Sequence, residues 1–193
     1  MTPRVARFLK RTEVAHIVRA AAAITTQRVF VLVGTGAVIA QVKDMPLEMM
    51  RTRELDIQVP DDEAGRRTAD LIDGSIGEGS QFDATFGYYA HAIPEGTAQL
   101  PTGWRERAKP LKLEPRADVT CLCPDVNDIA LSKVAAWREK DLEWLRAAAP
   151  RILSLPKMTE RLAQLPNSTV TETEMRRRMD VVQAFSGQLK SGG

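Results

Sequence analysis

"VFVLVGTGAVIAQ", Val29 to Gln41, decides how this chain is read. Five apolar residues, most of them β-branched or aromatic, make a buried strand. Gly34 ends it, and the run from Ala37 opens a short helix closed before Pro46. A strand, a glycine turn and a helix can hold a dinucleotide, hold a nucleoside triphosphate, or only let the two elements pack.

A dinucleotide turn has the pattern G-x-G-x-x-G, with an acid about 20 residues on at the C-terminal end of the second strand. Gly34 and Gly36 fit, but Ile39 stands in the third glycine's place. Glu54 and Asp56 have roughly the spacing, yet they open their strand. A Rossmann-type NAD(P) oxidoreductase is therefore the weaker alternative. No Gly-Lys-Ser/Thr follows, which excludes a P-loop.

The next strand, "ELDIQV", alternates strictly: Leu55, Ile57 and Val59 face one way, Glu54, Asp56 and Gln58 the other. Glu54 and Asp56 then lie about 7 Å apart on one face. Two carboxylates at that spacing can share divalent cations, as a nucleotidyltransferase does. The amides after Gly34 and the Thr35 hydroxyl would hold the phosphates. The plainer reading of the alternation is a solvated strand face.

Outward from this centre, Thr12 is a candidate cap for a helix carrying Val14, Ile17, Val18, Ala21 and Ala22 on one side. "DDEAGRRTADLID" (61–73) reads as a helix and "GSIGEGSQFDATFG" (74–87) as a glycine-rich loop. Within "DGSIGEGS" (73–80), Asp73, Glu78 and Ser80 would either meet nucleotide or metal or mark a helix exit. Strands are expected in "YYAHAI", "KPLKLE" and "DVTCLC", where His91 reads as packing or edge exposure. Residues 124–149 read as one long helix, followed by helices in "KMTERLAQL" and "ETEMRRRMDVVQAF" and a disordered tail from 186.

Bulk properties narrow the classes. Lys+Arg (27) nearly balance Asp+Glu (25), for a net charge of +2 over 193 residues. That balance permits a local basic patch, such as Arg176 to Arg178, without calling for nucleic acid. An aromatic content of 5% argues against base stacking along a single strand. No apolar run approaches a membrane span, and no signal peptide is read, so a cytoplasmic protein without a membrane partner is expected. Cys121 and Cys123 share a strand face and read as reduced structural thiols.

At this point "RAAAAITTQRVFVLVGTGAVIAQ", "ELDIQVP", "LIDGSIGEGSQFDATFGYYA", "LPTGWRERA" and "DIALSKVAAWREKDLEWL" carry a resemblance. Over roughly residues 12 to 165 the chain resembles an uncharacterised bacterial nucleotidyltransferase-like family (DUF6036 type), related to AbiEii-type toxins of toxin–antitoxin systems. The resemblance implies an α+β (α/β mixed) fold: a minimal nucleotidyltransferase mixed sheet flanked by helices, with a C-terminal helical part. The core would span 1–150, the helical extension 151–189 and a disordered tail 190–193. It implies transfer of a nucleoside monophosphate from a nucleoside triphosphate to a hydroxyl of an RNA end (tRNA included), a protein or a small molecule. It further implies Mg²⁺ or Mn²⁺ and a toxin-like role with a cognate antitoxin. The rival from another class is a catalytically inactive nucleotide-binding or protein-interaction module.

The resemblance places the glycine–hydroxyl pair on Gly34 and Thr35 and the metal-binding acids on Glu54 and Asp56. The catalytic lysine and later acid fall on Lys133 and Asp141. Gly36, Glu78 and Arg138 join the nucleotide contacts, and Asp118 is the positional candidate for a third metal-binding acid. Spacing alone favours reading Lys133, Arg138, Lys140 and Asp141 as a surface ion-pair network, and only the resemblance turns them to chemistry. The chain departs from the family pattern in Glu for the first acid, Gly36 for a larger polar residue, and Asp83 where histidine is expected.

Overall fold

The computed structural model describes residues 8–114, 118–166 and 170–187. By its contacts the chain divides into two units: Met1–Thr97 with Ala108–Cys123, and Ala98–Arg107 with Pro124–Gly193. Within the second unit the helices on either side of residue 150 pack on one another.

The first unit begins with α1 (Arg11–Thr25), β1 (Val29–Val33), α2 (Gly34–Gln41), a 3₁₀ turn (Leu47–Met50) and β2 (Glu54–Val59). It continues through α3 (Glu63–Ile76), α4 (Gln81–Phe86) and β3 (Tyr89–Pro94). After α5 (Trp104–Arg107), which belongs to the second unit, come β4 (Lys109–Lys112) and β5 (Thr120–Cys123). The strands form one mixed sheet in the order β3-β2-β1-β5-β4. β1 runs antiparallel to β2 and parallel to β5; β2 runs parallel to β3, and β4 antiparallel to β5.

β1 is central because it is apolar throughout, as a strand with neighbours on both sides demands. Phe30, Leu32, Leu55, Ile57, Cys121 and Cys123 are buried, and α2 and α3 pack on the sheet with α1 against them. Each large apolar side chain taken from water there contributes roughly 1.5–3 kcal/mol. The alternate residues of β2, Glu54, Asp56 and Gln58, are only half-buried and share the sheet's other face.

Three local expectations change. α1 starts at Arg11 and is capped at Lys10, not Thr12, because the Lys10 backbone N–H donates to Glu13 Oε2 at 2.6 Å. The glycine-rich stretch is not all loop. α3 runs to Ile76, and the Ser80 hydroxyl accepts from Asp83 N–H (3.2 Å) to start α4, which stops at Gly87 with φ 77°. The expected long helix is two, α6 (Val126–Ala136) and α7 (Glu139–Ala148), because Trp137 takes the left-handed conformation at φ 52°.

In the second unit α6, α7, α8 (Leu155–Leu162) and α9 (Glu172–Gly187) pack together. Arg161 bonds both Asp125 (2.8 Å) and the fully buried Asp128 (2.9 Å), and Arg107 reaches Asp128 from α5 (2.9 Å). Ser186 and Gly187 belong to α9, and the rest of the expected tail, including 190–193, lies outside the described residues. Among the described residues no helix is long and apolar enough to cross a membrane.

Candidate active site

The bend between β1 and α2 is built around two glycines. Gly34 has φ +62°, a conformation L side chains rarely adopt. A Cβ on it would lie 2.6 Å from Asp56 Oδ2, so the missing side chain is what lets that carboxylate approach the bend. A Cβ on Gly36 would lie 2.4 Å from Leu55 Cδ1, so α2 packs directly onto β2. No side chain caps α2, which leaves its first-turn amides and its positive end at the bend.

Strand direction explains how acids that open β2 reach a turn that closes β1. The two strands are antiparallel, and Asp56 pairs with Val33, the last residue of β1. A Rossmann unit needs those strands parallel, so the dinucleotide alternative falls here. β3 runs parallel to β2 and sets Tyr89 beside Glu54 and His91 beside Asp56.

His91 Nδ1 lies 3.4 Å from Asp56 Oδ1. One donor atom each from Glu54, Asp56 and His91 falls within 4.8 Å of the others. The Tyr89 hydroxyl donates to Glu54 Oε2 at 3.4 Å. Burial, then the neighbouring Glu54 and Glu78 carboxylates, push the Tyr89 phenol up to about 12, so it remains a donor. Glu54, Glu78, Tyr89 and His91 line one cleft, together with Asp73 and Ala90. Asp73 Oδ1 also accepts the Ala92 N–H at 2.9 Å, which ties the end of α3 to β3.

Arg53 braces the site from behind. Its Nε donates to the Gly87 carbonyl (2.9 Å), its guanidinium pairs with Asp83, and it lies over the Tyr89 ring 5.5 Å from the centroid. Asp83 is 2% exposed and also accepts the Gly79 N–H. The residue standing where histidine was expected therefore anchors α4.

These features, a mixed sheet with a glycine bend and paired carboxylates facing it, coincide with a family match. The model for the family described as nucleotidyltransferase of unknown function (DUF6036) matches residues 12–191. The chain belongs to this family. No curated protein and no solved structure matches it.

The donors fit a divalent cation: two carboxylates and an imidazole on one sheet face, with room made by Gly34. Asp118 does not join them. Val29 pairs with Thr120 at one end of β1 while Val33 pairs with Asp56 at the other, about 13 Å away along the strand. There the Asp118 carboxylate takes Arg28 Nε at 3.2 Å. The third donor beside the acid pair is His91, which period-two patterning alone could not place, since its partner depends on strand order.

The structure brings Lys133, Arg138 and Asp141 together inside the second unit. Lys133 Nζ donates to Asp141 Oδ1 (3.2 Å) and lies 5.0 Å from the Trp144 ring centroid. Arg138 Nε donates to Asp141 Oδ2 (2.7 Å), and its backbone N–H to the same oxygen (3.3 Å). They do not share one continuous helix, because Trp137 ends α6 between Lys133 and Arg138; the turn itself makes the contact. Asp141 is fully buried, yet the two cations hold its carboxyl below the usual range against the opposing effect of burial. Burial lowers the Lys133 ammonium, with Asp141 acting against it.

Proposed function

We propose that this protein transfers a nucleoside monophosphate from a nucleoside triphosphate to a hydroxyl, which forms the new bond to the α-phosphorus as the α–β bridge breaks and pyrophosphate leaves, with its centre at the Gly34 bend. The observation that carries the proposal is the Asp56 carboxylate standing over Gly34, with Glu54 two residues away on the same face. Glu54 and Asp56 would hold a divalent cation, which supplies charge neutralisation for the triphosphate when bound. The first-turn amides of α2 and the Thr35 hydroxyl orient the terminal phosphates at the helix's positive end. Gly36 lets that helix end come close, and Glu78 borders the cleft where the acceptor enters. Asp56 takes the acceptor's hydroxyl proton on a carboxylate oxygen. Tyr89 holds Glu54 in place through its hydroxyl.

Lys133, Arg138 and Asp141 serve in this reading as the clamp of the α6–α7 turn, which accounts for their contacts without a substrate. The acceptor is a hydroxyl of an RNA end, a protein or a small molecule. The toxin-like role with a cognate antitoxin extends the proposal on the strength of the resemblance.

The test is incubation with α-labelled nucleoside triphosphates, Mg²⁺ or Mn²⁺, and either total RNA or a protein extract. Label should pass to one acceptor class with the native chain and not with Asp56→Asn. Thermal shift runs alongside, since a ligand selective for the folded state raises Tm. Nucleotide binding without transfer by the native chain would favour the inactive module; equal transfer by Asp56→Asn would refute the site.

A further inference from the structure

We infer that His91 is a third ligand of the position held by Glu54 and Asp56, and that its imidazole makes this position select Mn²⁺ over Mg²⁺. The inference rests on the nucleotidyltransferase reading of that position and goes beyond it by naming the cation.

The placement follows from strand register. β3 is parallel to β2, and Asp56 pairs with His91, so both side chains leave the same sheet face side by side. The imidazole is half exposed, at 53%, and the Asp56 side chain is 23% exposed, so the donors stand at an accessible rim. Two donors in neighbouring positions of an octahedral cation are about 3 Å apart at ligand distances near 2.1 Å. His91 Nδ1 and Asp56 Oδ1 are 3.4 Å apart, close to that edge, and one donor atom each from Glu54, Asp56 and His91 falls within 4.8 Å of the others. A second observation comes from the other side of Asp56. Gly34 keeps the space next to Oδ2 clear, at the cost of a left-handed φ of +62°.

The chemistry then chooses the ion. Mg²⁺ is hard, prefers an all-oxygen shell and dehydrates reluctantly. Mn²⁺ takes carboxylates equally well and accepts an imidazole nitrogen in an octahedral shell with positions left for phosphate oxygens. Zn²⁺ in a four-coordinate site would leave one position beside three protein donors, whereas an octahedral shell leaves three for phosphate oxygens and water.

The experiment uses the full chain and the metals alone. Free Mn²⁺ is followed by electron paramagnetic resonance, Mg²⁺ by competition, and bound nitrogen by electron spin echo modulation. The native chain should bind Mn²⁺ at least about tenfold tighter than Mg²⁺ and show coupling to one nitrogen-14. His91→Ala should lose that coupling and bind Mn²⁺ about tenfold or more weakly, with Mg²⁺ changed less than about threefold. His91→Asp, an all-oxygen set, should bind both cations without the preference. Thermal melts of each variant check folding. An unchanged Mn²⁺/Mg²⁺ ratio in His91→Ala, with no nitrogen coupling in the native chain, overturns the role of His91. If Asp56→Asn still abolishes binding in that case, the acid-pair centre survives. If the native chain binds neither cation, or Asp56→Asn binds like it, the underlying reading falls as well.

Discussion

The Asp56 carboxylate occupies the space that a side chain on residue 34 would need: a Cβ built on Gly34 lies 2.6 Å from Asp56 Oδ2. The glycine of the bend and the second acid of β2 are thus one device. The antiparallel pairing of Val33 with Asp56 brings them together, and the φ of +62° keeps the backbone out of the carboxylate's way. Substituting one changes the other.

Gly34→Ala should damage the site more than the fold. The left-handed conformation costs a non-glycine residue about 1–2 kcal/mol, which lowers Tm by roughly 2–8 °C for a chain of this size. The added methyl also displaces Asp56, so transfer should fall by about 100-fold or more, the effect of moving a reacting group by an ångström. Melting curves and labelled-nucleotide transfer at a temperature where the variant is folded check this. Near-native transfer would show that the approach of Asp56 to the bend does not matter.

Tyr89→Phe isolates the support of Glu54. The hydroxyl bond is long, 3.4 Å, so its loss should lower transfer only about two- to tenfold and leave Tm within about 2 °C. The phenol is pushed up to about 12 by burial and by Glu54 and Glu78. Tyrosinate absorbance in an alkaline titration should therefore show a late-ionising group that disappears in the variant. An early ionisation assigned to Tyr89 would contradict its place beside two carboxylates.

Arg53→Met tests the brace behind the site. It leaves the buried Asp83 carboxylate without its cation and frees the Gly87 carbonyl. Removing one partner of a buried pair costs about 3–5 kcal/mol, or roughly 6–20 °C in Tm. The double variant Arg53→Met, Asp83→Leu should recover much of that loss, because no charge is then stranded. A single variant that melts like the native chain would mean the pair contributes nothing.

β1 was legible because a central strand must be apolar on both faces, and β2 because the alternation of Leu55, Ile57 and Val59 has no helical equivalent. The acid pair came with that alternation. His91 did not, because its role depends on β3 lying parallel beside β2, and strand order is a tertiary result. Asp118 was misplaced for the same reason: its distance along β1 follows from the register with β5. The break at Trp137 carried no glycine or proline to announce it. The Arg138–Asp141 pairing that starts α7 was visible only as a run of charges. In α4 the signal was present, Ser80 before Asp83 and Gly87 behind, but the glycines around it masked a six-residue helix.

Acid should unfold the native chain through Asp141 and Asp125. Arg138 and Lys133 hold the Asp141 carboxyl below its usual range, and hydrogen bonds from Asn127 and Arg161 do the same for Asp125, in both cases against burial. A carboxyl whose folded pKa is depressed contributes stability above its unfolded value, about 3.9, and loses it as pH falls through the lower folded value. Tm should be level from pH 7 to about 5 and then drop steeply toward pH 3. Asp141→Asn should melt about 6–12 °C lower at pH 7, for a cost of roughly 3 kcal/mol in leaving Lys133 without its buried partner. Its acid limb should be shallower, so the two curves converge as pH falls. Lys133→Met keeps Arg138 on Asp141 and should cost less than Asp141→Asn while retaining most of the acid limb. Parallel Tm curves for the native chain and Asp141→Asn would show that this carboxyl carries no depressed ionisation. A loss of transfer in Lys133→Met at unchanged Tm would return Lys133 to the chemistry and end its reading as a clamp.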